Sequence, residues 1–204
     1  MNFTGSEFIK DPPRATEAIP PSLLHMYQNM NWYCQVKKNG TYSVIRVHPD
    51  GTLIARTRRG EPHKAWDWTD GSRKAFTDLP ITGWTVICAE LMHSKVPGIR
   101  DTHYIHDIMV LDGKYLIGEP YVARLTFLHR LFLRGKGPKV EWDKWVLDPH
   151  TWLTRNLRTN FRDTFDRLTK PEDEGIVLKS PGGMLGSREQ WTVKCRRPKT
   201  NYNF

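Results

Sequence analysis

The spacing of apolar and polar residues along the chain predicts one short helix followed by a run of strands. SLLHMYQNM (22–30) carries its apolar residues near one side of a helix. Three strands are expected after it, in WYCQVKKNG (32–40), TYSVIRVHPDG (41–51) and TLIARTRRG (52–60). Asn39-Gly40 and Pro49-Asp50-Gly51 are typical turns between such strands. The first third of the chain is therefore predicted to be mainly β-structure.

The rest of the chain mixes strands with two longer helices. Strands are expected at 84–91 and in THYIHDIMVLDGKYLIG (102–118), which reads as a hairpin with Asp112-Gly113 at its tip. Helices are expected at 121–133 and in TWLTRNLRTNFRDTFDRLT (151–169), and two closing strands in EGIVLKS (174–180) and QWTVKCR (190–196). This order predicts an α+β fold with mainly antiparallel sheets flanked by helices. No composition shift divides the chain, so residues 1–204 are expected to form a single domain.

Composition excludes several classes of protein. The 204 residues are 38% hydrophobic and 26% charged, which is ordinary for a globular protein and argues against disorder. No apolar run approaches the ~18 residues of a membrane-spanning helix, so no membrane association is expected. Three scattered cysteines without a CxxC pair are typical of reduced thiols inside a cell, which predicts an intracellular protein.

Charge indicates the kind of partner. Thirty-one Lys and Arg against 22 acidic residues give a net charge of +9, which favours a polyanion, and nucleic acid is the commonest. The excess is grouped in residues 124–139 and in the tail from residue 182 to 204. From these two segments we predict the nucleic-acid contacts, namely Arg130, Arg134, Lys136, Arg197 and Lys199.

Four short segments carry residues with chemical potential. Lys37-Lys38-Asn39-Gly40 lies where a strand meets a turn, and Glu90 ends an apolar strand. Glu174-Gly175-Ile176-Val177-Leu178-Lys179 brackets an apolar run with a carboxylate and an amine. Lys194 and Arg196 are two residues apart and hence on one face of a strand. Taken singly, each has a structural explanation, such as a solvated turn or strand face.

Taken together, the four segments resemble the covalent nucleotidyltransferase superfamily of ATP-dependent DNA ligases, RNA ligases and mRNA capping enzymes. Lys37-x-Asn39-Gly40 resembles the first motif, usually K-x-D-G, and Ala89-Glu90 the third. HYIHDIMVLDG (103–113) is similar to the aromatic-Asp segment that follows. Glu174-Gly175-x-Val177-x-Lys179 matches the fourth motif, and VKCR (193–196) resembles the fifth. The resemblance implies the nucleotidyltransferase, ATP-grasp-like fold of a ligase catalytic domain.

The resemblance also implies the role of each site residue. Lys37 would be the nucleophile that attacks the α-phosphorus of ATP, with Lys179 and Lys194 on the α-phosphate. Glu90 would accept from the ribose hydroxyls, and Glu174 would hold Mg²⁺ or Mn²⁺. The remaining ATP contacts implied are Gln35, Arg58, His106 and Arg196. A lysine amine is ordinarily protonated, with a pKa near ~10.4, and neighbouring cations favour its neutral, nucleophilic form. Lys38 is the rival nucleophile, but it is expected to face the other side of the strand.

Three departures from the family pattern refine these expectations. Asn39 replaces the usual Asp, as it does in some phage-type RNA ligases. His106 occupies the position of the aromatic residue that stacks on adenine, so either His106 or Tyr104 is expected to stack. Eight residues follow Arg196, too few for the OB-fold that DNA ligases and capping enzymes append, so no OB-fold is expected. A catalytic domain alone is typical of viral or phage enzymes, by analogy.

The predicted function is that of a monomeric ATP-dependent polynucleotide ligase. It would transfer AMP from Lys37 to a 5′-phosphate end and join that end to a 3′-hydroxyl. The pattern leans towards an RNA-ligase-like enzyme that also accepts DNA or mixed ends, with a minimal DNA ligase as the alternative. Two other classes remain: a non-catalytic nucleic-acid-binding protein, and a metal nuclease built from Glu90, Asp101 and Asp107, whose spacing matches no known pattern.

Overall fold

Two β-sheets and a few short helices make up the computed structural model, which describes residues 12–134, 137–187 and 191–198. The strands in chain order are β1 (Glu17–Ala18), β2 (Tyr33–Lys38), β3 (Thr41–Val47), β4 (Leu53–Thr57), β5 (Thr85–Met92), β6 (Thr102–Leu111), β7 (Lys114–Tyr115), β8 (Lys139–Val140), β9 (Lys144–Asp148), β10 (Thr151–Thr154), β11 (Asp173–Lys179) and β12 (Thr192–Arg196). The helices are α1 (Leu24–Asn29), preceded by a 3-10 turn at Pro21–Leu23, then α2 (Asp70–Thr77), α3 (Tyr121–Phe132) and α4 (Phe161–Asp166).

The two sheets draw their strands from different parts of the chain. The smaller sheet has the order β1-β12-β11-β2 and joins the two ends of the described chain. The larger sheet has the order β4-β3-β5-β6-β10-β9-β8, and β7 extends β6 as a hairpin. In the described ranges β1–β12 and β10–β6 are parallel and all other strand pairs are antiparallel. The expected α+β class with mainly antiparallel pairing is therefore confirmed.

Each sheet buries its own apolar core. The larger sheet packs alternate residues such as Ile45, Ile87 and Ile108 against α3 and Phe76 of α2. The smaller sheet packs residues such as Ile176 and Leu178 of β11 against α1 and α4. Since strand side chains alternate between faces, the opposite face of each sheet is free to carry polar groups. In the described part of the chain, no helix is both long and apolar enough to cross a membrane.

The second long helix, expected over residues 151–169, is not observed as such. Its first part is strand β10, which pairs parallel to β6 with Leu153 opposite Ile105. Leu157 exchanges two backbone hydrogen bonds with Cys34 of β2, at 2.8 and 2.9 Å. Asn160 then takes a left-handed conformation (φ 58°), and only residues 161–166 are helical. The apolar spacing of a helix was present, but pairing with a buried strand overrode it.

Helix α2 and strands β8 and β9 were not predicted from the sequence. Thr69 caps the start of helix α2: its side chain accepts from the Ser72 amide, while Ser72 Oγ accepts from the Thr69 amide. This reciprocal capping satisfies two otherwise unpaired N–H groups. The strands that were predicted, and the helix predicted at 121–133, are confirmed within a few residues at each end.

Candidate functional site

A cleft of about 1060 Å³ lies between the two sheets. Its walls come from β2, β11 and β12 of the smaller sheet and from β3, β5 and β6 of the larger one. The predicted nucleotide-site residues all line it, namely Gln35, Lys37, Arg58, Glu90, His106, Glu174, Lys179, Lys194 and Arg196. Four separate motifs thus meet in one place, because the strands that carry them face each other across the cleft.

Strand alternation separates Lys37 from Lys38. Lys37 points into the cleft, whereas the Lys38 ammonium is buried between Asp143 and Asp173, 2.7 Å from a carboxylate oxygen of each. Burial by itself disfavours the charged amine, but the two carboxylates outweigh it and raise the pKa of Lys38. Lys38 is therefore held as a structural cation, which removes it as the rival nucleophile.

Glu174 stands between two cations of the cleft. The Lys37 ammonium donates to Oε2 of Glu174, and Nε of Arg196 lies 3.4 Å from Oε1. Although partial burial opposes ionisation, the bond from Lys37 and the charge of Arg196 lower the pKa of Glu174. The pKa of Lys194 is lowered, mainly by partial burial and then by the positive charges of Arg196 and Lys37. The site is thus a cluster of cations with one carboxylate at its centre.

Two glycines of the motifs allow the backbone to approach closely around Lys37. Gly175 lies opposite Lys37 in the β2–β11 pair and has φ of +150°, where a Cβ would sit 2.1 Å from the carbonyl oxygen of Cys195. A Cβ on Gly40 would lie 2.6 Å from both Cγ of Glu90 and the carbonyl oxygen of Leu91. Both positions accept only glycine without a backbone shift, which explains the glycine in each motif.

Glu90 is the most perturbed carboxyl group of the cleft. Burial is the main cause that raises its pKa to about 7, and the charges of Lys37 and Lys95 counteract it only in part. Lys95 lies in the loop after β5, lines the cleft and donates to the carbonyl oxygen of Gly40. The sequence analysis missed Lys95, because it stands in an irregular loop outside any motif.

Lys179 is fixed by groups of the larger sheet. Its ammonium lies 2.8 Å from the carbonyl oxygen of His106 and 3.1 Å from Oδ2 of Asp107. Arg124 of α3 binds the same carboxylate through Nε at 2.9 Å and Nη2 at 3.3 Å. Burial lowers the pKa of Lys179 in spite of Asp107. Asp107 and Arg124 are not among the residues that line the cleft, but they hold Lys179 in place, a role that the sequence analysis gave to neither.

Arg124 also corrects the expectation of an exposed basic segment at 124–139. Its side chain is buried against Asp107, so it is absent from the surface. Arg130 and Arg134 are exposed at the end of α3 but do not line the cleft, whereas Arg197 does. Lys136 and Lys199 lie outside the described residues. Among the described residues, Arg124 is therefore not part of a basic surface formed by the segment 124–139.

His106 and Tyr104 are the two candidates for stacking on the adenine base. Burial lowers the pKa of His106 to about 3, so its ring is neutral, and it meets the Tyr42 ring edge-to-face at 5.2 Å. Tyr104 is only 2% exposed, and its hydroxyl is 2.7 Å from Oγ1 of Thr154. Gln35 lies on the same cleft face and donates to the Tyr121 hydroxyl at 2.6 Å. Of the two candidates, His106 is the more accessible.

The carboxylates fit a metal bound mainly through a ligand's phosphates. In the described ranges no group of three or more His, Cys, Asp or Glu side chains is arranged to hold a metal ion. A site with one carboxylate, Glu174, plus phosphate oxygens is the arrangement that Mg²⁺ accepts. The nuclease alternative loses support, because the carboxylates that it needs already have partners. Asp107 forms ion pairs with Arg124 and Lys179, and Asp101 accepts hydrogen bonds from Trp66 and Thr69.

Comparisons with known proteins agree with this architecture. No protein-family model and no curated protein sequence matches the chain. Among solved structures it is similar to a mycobacterial DNA ligase D complexed with ATP and MES (17% identity, 93% of this chain and 61% of that chain, TM-score 0.60). It is also similar to a Lig E DNA ligase (15% identity, 91% of this chain and 70% of that chain, TM-score 0.54). An archaeal ATP-dependent RNA ligase matches with 17% identity over 92% of this chain and 48% of that chain, at a TM-score of 0.50.

These similarities concern the fold. The chain spans about three fifths of the DNA ligase D chain that it matches. The identities of 15–17% are too low to carry over an activity, but the alignments include nearly all of this chain. The fold expected from the motifs is thereby confirmed: the chain shares its fold with these DNA and RNA ligases.

Proposed function

We propose that this protein is an ATP-dependent polynucleotide ligase that works through a lysyl-AMP intermediate. One observation carries the proposal: Lys37, Glu174, Lys179 and Lys194, which lie far apart in the sequence, line a single cleft. A cluster of amines with only a few carboxylates suits a ligand with several phosphates. ATP use by the similar ligases supports the same ligand.

In the first step Lys37 is the nucleophile. Its ammonium leaves the ion pair with Glu174 and loses one proton to solvent, and the neutral amine then attacks the α-phosphorus and loses a second proton to solvent as the phosphoramidate forms. The nitrogen–phosphorus bond forms, and the bond from that phosphorus to the bridging oxygen breaks with release of pyrophosphate. Lys179 and Lys194 stabilise charge on the α-phosphate, and Glu90 accepts from the ribose hydroxyls.

Glu174 is also the candidate metal ligand when its ion pair with Lys37 has separated. Its carboxylate would hold Mg²⁺, which neutralises charge on the phosphates. Arg196, 3.4 Å from Glu174, keeps that carboxylate oriented towards the cleft. The carboxylate that pairs with Lys37 is thus the same one that would hold the ion.

The later steps need nucleic acid. AMP passes from Lys37 to a 5′-phosphate, and a 3′-hydroxyl then displaces AMP to join the strand. The described candidates for backbone contacts are the exposed Arg130 and Arg134 and the partly buried Arg197. We propose an RNA-ligase-like preference with acceptance of DNA or mixed ends. Similar structures include ligases of both kinds, so both substrates belong in the test.

The decisive experiment is self-labelling with α-labelled ATP and magnesium on a denaturing gel. We expect label on the wild type and none on Lys37→Ala. Lys74→Ala, which removes an exposed lysine outside the cleft, is the matched control and should label normally. Sealing of nicked RNA and nicked DNA by the labelled protein then ranks the substrates. A well-folded wild type that takes no label contradicts the proposal and favours a non-catalytic nucleic-acid-binding protein.

A further inference from the structure

A short segment near the start of the described chain crosses the cleft. The Tyr42 hydroxyl of β3 donates to the carbonyl oxygen of Pro13 at 3.0 Å. The Lys194 ammonium of β12 donates to the carbonyl oxygens of Ala15 at 2.9 Å and Thr16 at 3.2 Å. Because β3 and β12 belong to different sheets, residues 13–16 span from one wall to the other. We call these residues the strap.

Both ends of the strap are fixed, so its middle is held in place. Beyond Thr16 the chain enters β1, which pairs parallel to β12 next to Val193 and Lys194. Arg14 lies between the Pro13 and Ala15 anchors, lines the cleft and has an exposed side chain. Within the described ranges no carboxylate forms an ion pair with it. The strap therefore presents one guanidinium at the rim of the cleft.

Arg14 adds to a group of cations that lacks enough carboxylates to balance it. The pKa of Lys194 is lowered first by partial burial and then by surrounding cations, Arg14 among them. Lys37 and Arg196 already share Glu174 between them. Holding several like charges close together costs energy unless an anion with several charges binds among them.

Exposure shows which end of a nucleotide fits near Arg14. Groups suited to the nucleoside, Gln35 and Glu90, lie on the inner, largely buried walls. The exposed groups at the rim are cations, including Arg14 and Arg58. A nucleoside triphosphate bound with its base inward therefore extends its β- and γ-phosphates towards the strap.

We propose that Arg14 binds the β- and γ-phosphates of ATP and stabilises pyrophosphate as it leaves. The inference rests on the function proposed above. When Lys37 attacks the α-phosphorus, the electron pair of the broken bond stays on the bridging oxygen of pyrophosphate. The guanidinium of Arg14 neutralises that added charge and can bind two phosphate oxygens at once. The strap thus acts in AMP transfer to Lys37 and not in strand joining.

Arg14→Gln tests this role, with Arg73→Gln as the matched control, since Arg73 is an exposed arginine of α2 outside the cleft. We expect Arg14→Gln to slow self-adenylylation by roughly tenfold to a hundredfold, less than the loss of a buried donor. The reverse reaction, in which added pyrophosphate and the lysyl-AMP protein form ATP again, should slow by the same factor, since both directions share one transition state. Sealing of a pre-adenylylated nick, which involves no pyrophosphate, should stay unchanged.

Calorimetry separates this inference from the proposed function. Arg14→Gln should weaken binding of ATP about tenfold but leave binding of AMP unchanged, whether or not the protein labels itself. Equal losses for ATP and AMP, or none relative to Arg73→Gln, overturn the inference. Slower sealing of the pre-adenylylated nick with unchanged ATP binding would instead assign Arg14 to nucleic acid. A lowered unfolding midpoint with uniform loss in every assay would assign the strap to folding alone.

Discussion

Lys37 and Lys38 are neighbours in the chain but have different environments. Lys37 meets Glu174 in an open cleft, whereas Lys38 is enclosed by Asp143 and Asp173. The first pair can separate when a ligand brings its own charge, and the second cannot without leaving charges buried. At the scale of one residue, burial decides which lysine is available for chemistry.

Glu90 gives the protein a pH-dependent stability. Its pKa of about 7 in the folded state lies above the usual 4.5. The stability that it contributes is therefore fully present below about pH 4.5 and is lost as pH rises through 7. We expect the unfolding free energy of the wild type to fall, relative to Glu90→Gln, by up to about 3 kcal/mol between pH 5 and pH 8.

Urea unfolding of both proteins at several pH values measures this difference. Glu61→Gln, which removes an exposed carboxylate at the same cleft, controls for the loss of one charge. A difference between wild type and Glu90→Gln that does not change with pH would contradict the burial of Glu90. Glu90→Gln should also bind ATP less tightly than the wild type at pH 8, because a neutral amide is a weaker acceptor than a carboxylate.

Strand β11 carries three functions within seven residues. It supplies Glu174 and Lys179 to the cleft, and its apolar residues Ile176 and Leu178 to the smaller core. Gly175 lets it approach β12 closely enough to bring Lys194 and Arg196 alongside. The spacing of the fourth motif is thus a property of the strand pairing as much as of the chemistry.

Gly175→Ala tests this close approach. The new Cβ would meet the Cys195 carbonyl oxygen at 2.1 Å in a conformation that disfavours side chains. We expect the unfolding free energy to fall by about 2–4 kcal/mol, with loss of self-labelling even where the protein remains folded. Gly182→Ala is the matched control, because a Cβ there has no atom within 4 Å. Equal stability of the two variants would show that β11 and β12 are less constrained than described.

Across the whole molecule, buried ion pairs connect the two sheets. Lys179 of the smaller sheet reaches Asp107 of the larger one, and Lys38 of the smaller sheet reaches Asp143, just before β9. The two apolar cores are separate clusters, so these links and the strap hold the walls of the cleft in register. The relative position of the two walls of the cleft therefore depends on these ion pairs and on the strap.

Asp107→Ala should weaken both sheets together. The change leaves Arg124 and Lys179 buried without their shared carboxylate, which costs about 3–5 kcal/mol. We expect faster amide hydrogen exchange in β6 and in β11 alike. Asp78→Ala removes only an exposed ion pair with Lys74 and should change the unfolding free energy by less than about 1 kcal/mol. Faster exchange confined to β6 would mean that the sheets unfold independently.

The sequence determined most of the strands, and the resemblance of its motifs to a known family pointed to the residues that line the cleft. Alternation of apolar and polar residues assigns Lys37, Lys179 and Lys194 to strand faces, because successive side chains of a strand point to opposite faces. The ordered motifs then predicted one common site, and the structure brings those residues into one cleft. These features needed no knowledge of distant contacts.

Only the tertiary structure decided the features that depend on distant partners. Residues 151–154 became a strand instead of a helix because β6 offered a buried edge for pairing. Arg124 is buried and not exposed because it pairs with Asp107 inside the protein, and the carboxylates that hold Lys38, Asp143 and Asp173, come from distant parts of the chain. Arg14 and Lys95 joined the site through loops without any periodic pattern. Burial and charge pairing across long sequence separations are set by the fold, and a local pattern does not encode them.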